Sequence, residues 1–156
     1  MAASAGILMY RRKMETVEVL LVHPGGPYWR SKDYGAWSIP KGEYGPAEDA
    51  EAAARREFAE ELGFEITGAL GLLGEIRQRG GKRVTAFALE GDLDTSCIRS
   101  NSFEMEWPPR SGKICAFPEI DRAGWFCLDE ARRRILLSQA PLLDRLAAAL
   151  THDAAL

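Results

Sequence analysis

The chain has 156 residues, 46% hydrophobic and 28% charged, with four Trp, six Phe and a formal charge of −3. That length suits a single domain, residues 1–156, with a substantial core. The mild acidity gives no general reason to bind nucleic acid or an acidic membrane, so an anionic substrate needs locally placed cations or a metal.

No apolar run reaches the roughly 18 residues that span a bilayer. The opening MAASAGILMYRRK places apolar residues before basic ones, the reverse of a secretory leader, and reads as a first strand. Cys97, Cys115 and Cys127 are odd in number and lack C-x-x-C spacing, which argues against a disulfide framework or zinc cluster and for a reducing cytoplasm. Cys115 has no activating group nearby in sequence and reads as structural.

Strands are expected at Gly6–Tyr10 and at Thr16–His23, where Val17, Val19 and Leu21 alternate against Glu18 and Leu20. His23–Gly35 is a turn-rich loop carrying Tyr28, Trp29 and Tyr34, and AWSIP is a short extended segment closed by Pro40. After the Gly45-Pro46 turn the pattern is helical to about Leu62, with Gly63 as a C-terminal stop. Leu70–Gln78 and Lys82–Glu90 form a hairpin about Arg79-Gly80-Gly81. Strands at Phe103–Trp107 and Gly124–Leu128 follow, then helices from Asp129 to about Leu137 and from Ser138 to about Leu150. Strands mixed with helices predict an α/β sandwich with a mixed sheet.

The helix before Gly63 crowds three carboxylates together. At about 100° per residue, Glu61 lies roughly 40° to one side of Glu57 and Glu60 roughly 60° to the other. Ala50, Ala53 and Ala54 share that sector and are expected to leave the carboxylates uncovered, while Phe58, Leu62 and Ala47 form the packing stripe. Glu51 falls within that stripe, and the spacing offers no reason for it. Carboxylates at a helix C-terminus face the negative end of its dipole, costing ~0.3–1 kcal/mol each unless a cation intervenes. A solvated acidic face is the competing reading. Flanking glycine turns and the Arg56-Glu57 pair favour a site for a hard cation such as Mg²⁺ or Mn²⁺, which takes oxygen ligands.

This stretch resembles the Nudix box, G-x5-E-x7-R-E-U-x-E-E-x-G-U. Gly42, Glu48, Arg56, Glu57, Phe58, Glu60, Glu61, Gly63 and Phe64 fill every defined position. The preceding WSIPKGE is similar to the approach in dinucleoside polyphosphate and RNA 5′-end hydrolases. The resemblance implies a Nudix-type α/β/α sandwich that hydrolyses a nucleoside diphosphate linked to another moiety, using Mg²⁺ or Mn²⁺. It implies Glu57 and Glu61 as principal metal ligands, Glu60 as a further ligand or water activator, and backbone carbonyls around Lys41 and Gly42 completing the shell. Arg56 and Glu48 are implied to orient the helix. Glu119, upstream of Trp125, resembles an auxiliary ligand or general base, with Glu104 and Glu106 as rivals.

Substrate contacts are expected from Lys41, Arg83, Arg110 and Lys113 toward phosphates, with Arg79 and Lys82 beside them, although such residues also serve ordinary turns. Tyr28, Trp29 and Tyr34 offer π-faces to a base, with packing as the competing reading. His23 and His152 have no companion ligands and read as incidental. The expected partner is a nucleotide-type small molecule; nucleic acid and membrane are disfavoured and a homodimer is left open. Neither the proline of some ADP-ribose hydrolases nor the tyrosine of some dinucleoside polyphosphate hydrolases follows the box. A nucleoside triphosphate or dinucleoside polyphosphate is favoured. A non-catalytic nucleotide-binding domain and an RNA 5′-pyrophosphohydrolase are the alternatives, and residues 93–119 carry no readable specificity signal.

Overall fold

A computed structural model describes residues 3–154, and side chains through Thr151; the side chain of His152 therefore lies outside the described residues. Strands β1 (Ala3–Lys13) and β2 (Thr16–Pro24) pair only near their turn, Tyr10–Lys13 against Val19–Thr16. Beyond that they diverge, and residues 37–44 fill the fork. Strand β3 (Lys41–Tyr44) runs antiparallel to the first half of β1, with Lys41 opposite Gly6, while Ser38 exchanges both backbone hydrogen bonds with Val22 of β2.

Helix α1 (Ala50–Leu62) follows, then the hairpin β4 (Gly71–Arg77) and β5 (Arg83–Glu90). Strand β5 runs parallel to β1 from Ala3 to Tyr10, which makes the sheet mixed. Strands β6 (Ser102–Glu106) and β7 (Ile114–Pro118) form a separate ribbon, and β8 (Ile120–Cys127) closes the main sheet on β2. The order is β4-β5-β1-β2-β8, with β3 on β1. Helices α2 (Leu128–Arg134) and α3 (Ala140–Ala154) complete the chain. None of the described helices is long and apolar enough to cross a membrane.

The sheet is covered on both faces. Ala5, Ile7, Leu20 and Val22 meet Ala53, Ala54, Phe58 and Leu62 of α1; Leu8, Val19 and Leu21 meet Leu142, Leu143 and Leu146 of α3. Residues 19–22 are buried without a break, so the alternation in β2 divides its side chains between two cores rather than between core and water.

Several boundaries differ from the sequence reading. Helix α1 starts at Ala50, where the Asp49 carboxylate accepts from the N–H groups of Glu51 and Ala52. Ala47 therefore precedes the helix and is exposed, and Glu51 lies in solvent 3.6 Å from Arg55 instead of on the packing stripe. Ala53 and Ala54 are fully buried: their small size brings the helix close to the sheet and does not uncover the carboxylates. Helix α2 ends at Arg134 rather than near Leu137, and α3 begins at Ala140. Strand β3 lacks an apolar pattern long enough to mark it, the short apolar run of β7 has no expected strand assigned to it, and β1 and β8 extend beyond the expected spans.

Gly63 ends α1 in the left-handed region at φ 77°, donating its N–H to the Ala59 carbonyl. The adjacent carbonyls of Leu62 and Glu60 accept from Arg99 and Asn101, so residues 99–101 seal the helix end. A Cβ at Gly63 would lie 2.8 Å from the Arg99 carbonyl oxygen. Gly63→Ala is therefore expected to destabilise the protein by ~1–3 kcal/mol in urea unfolding. An unchanged midpoint would contradict this account of the cap.

Candidate active site

The fork in the sheet and the last turns of α1 meet at Lys41 and Gly42. Phe58 and Leu62 anchor the helix in the core, which turns Glu57 and Glu61 toward β3. A Cβ at Gly42 would overlap the Glu57 carboxylate, so only glycine lets that side chain rest against the strand. Glu61 is 8% exposed, and both its oxygens lie 3.3–3.4 Å from the Lys41 backbone nitrogen, which donates to them.

Arg56 ties the surroundings together. Its guanidinium donates twice to Glu48 at 2.9 Å, to Glu57 at 2.7 Å, more loosely to Glu60 at 3.3 Å, and to the Glu43 carbonyl at 3.3 Å. This bidentate pair fixes the turn before the helix to the helix itself. It also changes the expected trio. Arg56 touches both Glu57 and Glu60, but Glu60 is 41% exposed, whereas Glu57 and Glu61 are 13% exposed or less. Among the described residues no three His, Cys, Asp or Glu side chains gather closely enough to hold a cation alone.

Burial is the main cause of a raised proton affinity at both inner carboxylates. Glu61 is pushed up to about 8, with Glu57 and Glu119 adding to the effect while Lys41 opposes it. Glu57 is raised in the same way, against the pull of Arg56 and with further help from Glu60 and Glu119. The Lys41 amine is lowered by burial and by nearby Lys82, against the attraction of Glu61, Glu43 and Glu57. Glu119, distant in sequence, thus faces the same field. Glu57 and Glu61 offer carboxylate oxygens whose charged forms burial disfavours, a donor set that fits a hard divalent cation completed by water and substrate oxygens.

A cavity of about 240 Å³ opens beside this pair, lined by Trp29, Ser38, Lys41, Glu61, Glu119 and Leu136. Of the expected substrate contacts it receives Lys41 and Trp29, the latter under the Lys32 amine at 5.0 Å. The others lie outside its lining. Tyr28 packs edge-to-face on Trp107 at 5.2 Å, and Tyr34, 68% exposed, lies 5.4 Å under the Arg134 guanidinium. Arg83 faces Glu75 across the β4–β5 pair at 4.0 Å. Arg110 and Lys113 sit on the exposed turn of the β6–β7 ribbon, where Glu106 accepts from the N–H groups of Arg110 and Gly112. That turn occupies Glu106, and neither it nor Glu104 lines the cavity. Lys82 instead approaches the site, paired with Glu43 at 2.8 Å.

Sequence reasoning missed three supports. Gln139, fully buried, accepts from the Ile39 N–H at 3.0 Å and donates to Ser38 Oγ, fixing the AWSIP segment. Asp33 accepts from Trp37 Nε1 and from Arg134 at 2.7 and 2.8 Å, anchoring the aromatic loop to α2. His23, read as incidental, is fully buried and hydrogen-bonded at both ring nitrogens. Their partners lie too far along the chain for spacing to reveal.

The NUDIX domain model matches residues 1–146. Among solved structures, a Caenorhabditis elegans Ap4A hydrolase binary complex is similar at 22% identity and TM-score 0.67, covering 97% of this chain and 99% of its own. The NUDIX domain of Shewanella oneidensis NrtR complexed with ADP ribose gives 14% and 0.66, covering 95% and 87%. A mutT/nudix family protein from Listeria innocua gives 18% and 0.64, covering 97% and 95%. At these identities the likeness speaks to the fold. No curated protein matches the sequence.

A carboxyl that titrates near 8 when folded, against an ordinary 4.5, contributes stability that is complete below its unfolded value. That stability is lost as pH rises through about 8, where burial of the charged form is opposed. In chelator, wild type should lose ~2–4 kcal/mol more than Glu61→Gln between about pH 5 and pH 9. Parallel curves from denaturant unfolding would show that Glu61 is not buried in this way.

Proposed function

The chain belongs to the Nudix family and is a pyrophosphohydrolase, and from that premise we propose that Glu57 and Glu61 hold a divalent cation against a nucleoside diphosphate linked to another moiety. The observation that carries this reading is the pairing of buried Glu61 with part-buried Glu57 beside the Lys41–Gly42 backbone, where burial opposes both charged forms. Nudix enzymes generally require divalent metal ions; Mg²⁺ is favoured here, with Mn²⁺ as the alternative, because every donor is a hard oxygen. When bound, the cation would neutralise phosphoryl oxygens and lower the pKa of water.

The chain's own residues do the rest. Arg56 and Glu48 hold the turn and helix so that Glu57 keeps its place, and Glu60 supports Arg56 from the exposed side. Lys41 meets a phosphate, and Trp29 offers its face to a base at the cavity wall. Glu119 accepts a proton from the attacking water as its oxygen bonds to phosphorus and the bridging oxygen departs. The substrate class favoured is a nucleoside triphosphate or dinucleoside polyphosphate, supported by the Trp37–Glu43 approach. Three free cysteines favour a reducing cytoplasm.

Nucleoside triphosphates, dinucleoside polyphosphates, ADP-ribose and nucleotide sugars, assayed with Mg²⁺ and Mn²⁺ and with products identified, should single out one of the two favoured classes. On that substrate Glu57→Gln and Glu61→Gln should each raise the barrier by ~3–6 kcal/mol and weaken calorimetric Mg²⁺ binding while the fold persists. Near wild-type turnover by a folded Glu61→Gln protein would refute the assignment.

A further inference from the structure

We infer that His23 is a positioning residue, a buried imidazolium that donates from both ring nitrogens and anchors the aromatic loop, residues 25–36, to β8 beside the catalytic cavity. The ring lies at the end of β2 and is fully buried. Nδ1 is 2.8 Å from Asp121 Oδ1 and Nε2 is 2.6 Å from the Lys32 carbonyl oxygen. Both partners are acceptors. A neutral imidazole has one donor and one lone pair, so either tautomer would press a lone pair against an oxygen at hydrogen-bond distance. An imidazolium donates at both ends and finds its counter-charge in Asp121, which satisfies the rule that buried charges are paired.

The groups around the ring come from several elements. Asp121 comes from β8, the Lys32 carbonyl from the loop, and Trp37 meets the ring edge-on at 5.2 Å. Arg122 lies over Trp37 and 3.8 Å from the same Asp121 oxygen, and Asp33 accepts from Trp37 Nε1 at 2.7 Å.

The consequence for the site runs through Lys32. Its N–H donates to the Trp29 carbonyl at 2.9 Å and its amine lies over the Trp29 indole. Holding the Lys32 carbonyl therefore holds the turn that sets Trp29 in the cavity wall. Strand β8 has an independent hold, its ladder to β2 from Glu18–Cys127 to His23–Arg122. Loss of His23 should accordingly free the loop and leave Glu119 in place. The effect then falls on substrate binding through Trp29, a point that rests on the function proposed above.

Two measurements test the assignment independently of that function. The chain has two histidines, so His152→Gln leaves His23 as the sole imidazole for ring ¹⁵N NMR. At about pH 7.5 both nitrogens should be protonated, and a ring with one protonated nitrogen overturns the inference. Trypsin should cut His23→Gln after Arg30 and Lys32 about tenfold faster than wild type, with cutting after Arg79 unchanged. Equal rates at Arg30 and Lys32 overturn it. With the substrate identified by the panel, His23→Gln should raise KM about tenfold and leave kcat within about twofold. A fall in kcat at unchanged KM would show that His23 does not act through the loop.

Discussion

Two carboxylates on successive turns of one helix, one buried and one part-buried against a strand, repel each other and resist losing water, and the rest of the site is arranged around that conflict. Gly42 removes the side chain that would hold Glu57 away. The Lys41 N–H offers Glu61 a partial counterweight, long at 3.3–3.4 Å. Arg56 restrains Glu57 from the outer side while its own geometry is set by Glu48. What remains is a pair of carboxylates held in place by the fold, the preorganisation that the proposed cation site requires.

The fork between β1 and β2 makes this possible. A continuous ladder there would have left no place for residues 37–44. By parting after Tyr10 and Val19, the two strands admit a segment that bonds to each of them, Lys41–Tyr44 to β1 and Ser38 to β2. Gln139 holds the same segment from the α3 side. The backbone that faces α1 is therefore fixed along both edges and from beneath, which is the rigidity a preorganised site needs.

Mobility is confined in the same economical way. The aromatic loop is long and rich in turn residues, yet it is tied at several points: His23 to Lys32, Asp33 to Trp37 and Arg134, and Gly35 to the Arg133 carbonyl. These ties join the cavity wall to α2, whose carboxylates at the start and arginines at the end suit the helix dipole. Cavity wall and scaffold are thus coupled through polar contacts between segments far apart in the chain.

How much of this was legible follows from the range of each interaction. The box from Gly42 to Phe64 could be read because helical spacing is local: Glu57 and Glu61 share a face wherever the helix is placed, and Gly63 ends it by its own backbone freedom. The mixed α/β class followed from alternating and helical periods, and the hairpin from its glycine turn. Strand β3 could not be read, because Lys41–Tyr44 becomes a strand only where β1 and β2 part. The pairing of His23 with Asp121, of Ser38 with Gln139 and of Arg134 with Asp33 likewise left no trace in spacing. The sequence by itself determined the chemistry available, an acidic helix beside a glycine turn, since that depends on neighbours a few residues apart. Only the tertiary structure decided which carboxylates lose water, which ones Arg56 holds, and which aromatic reaches the cavity, because burial is set by residues that folding alone brings into contact.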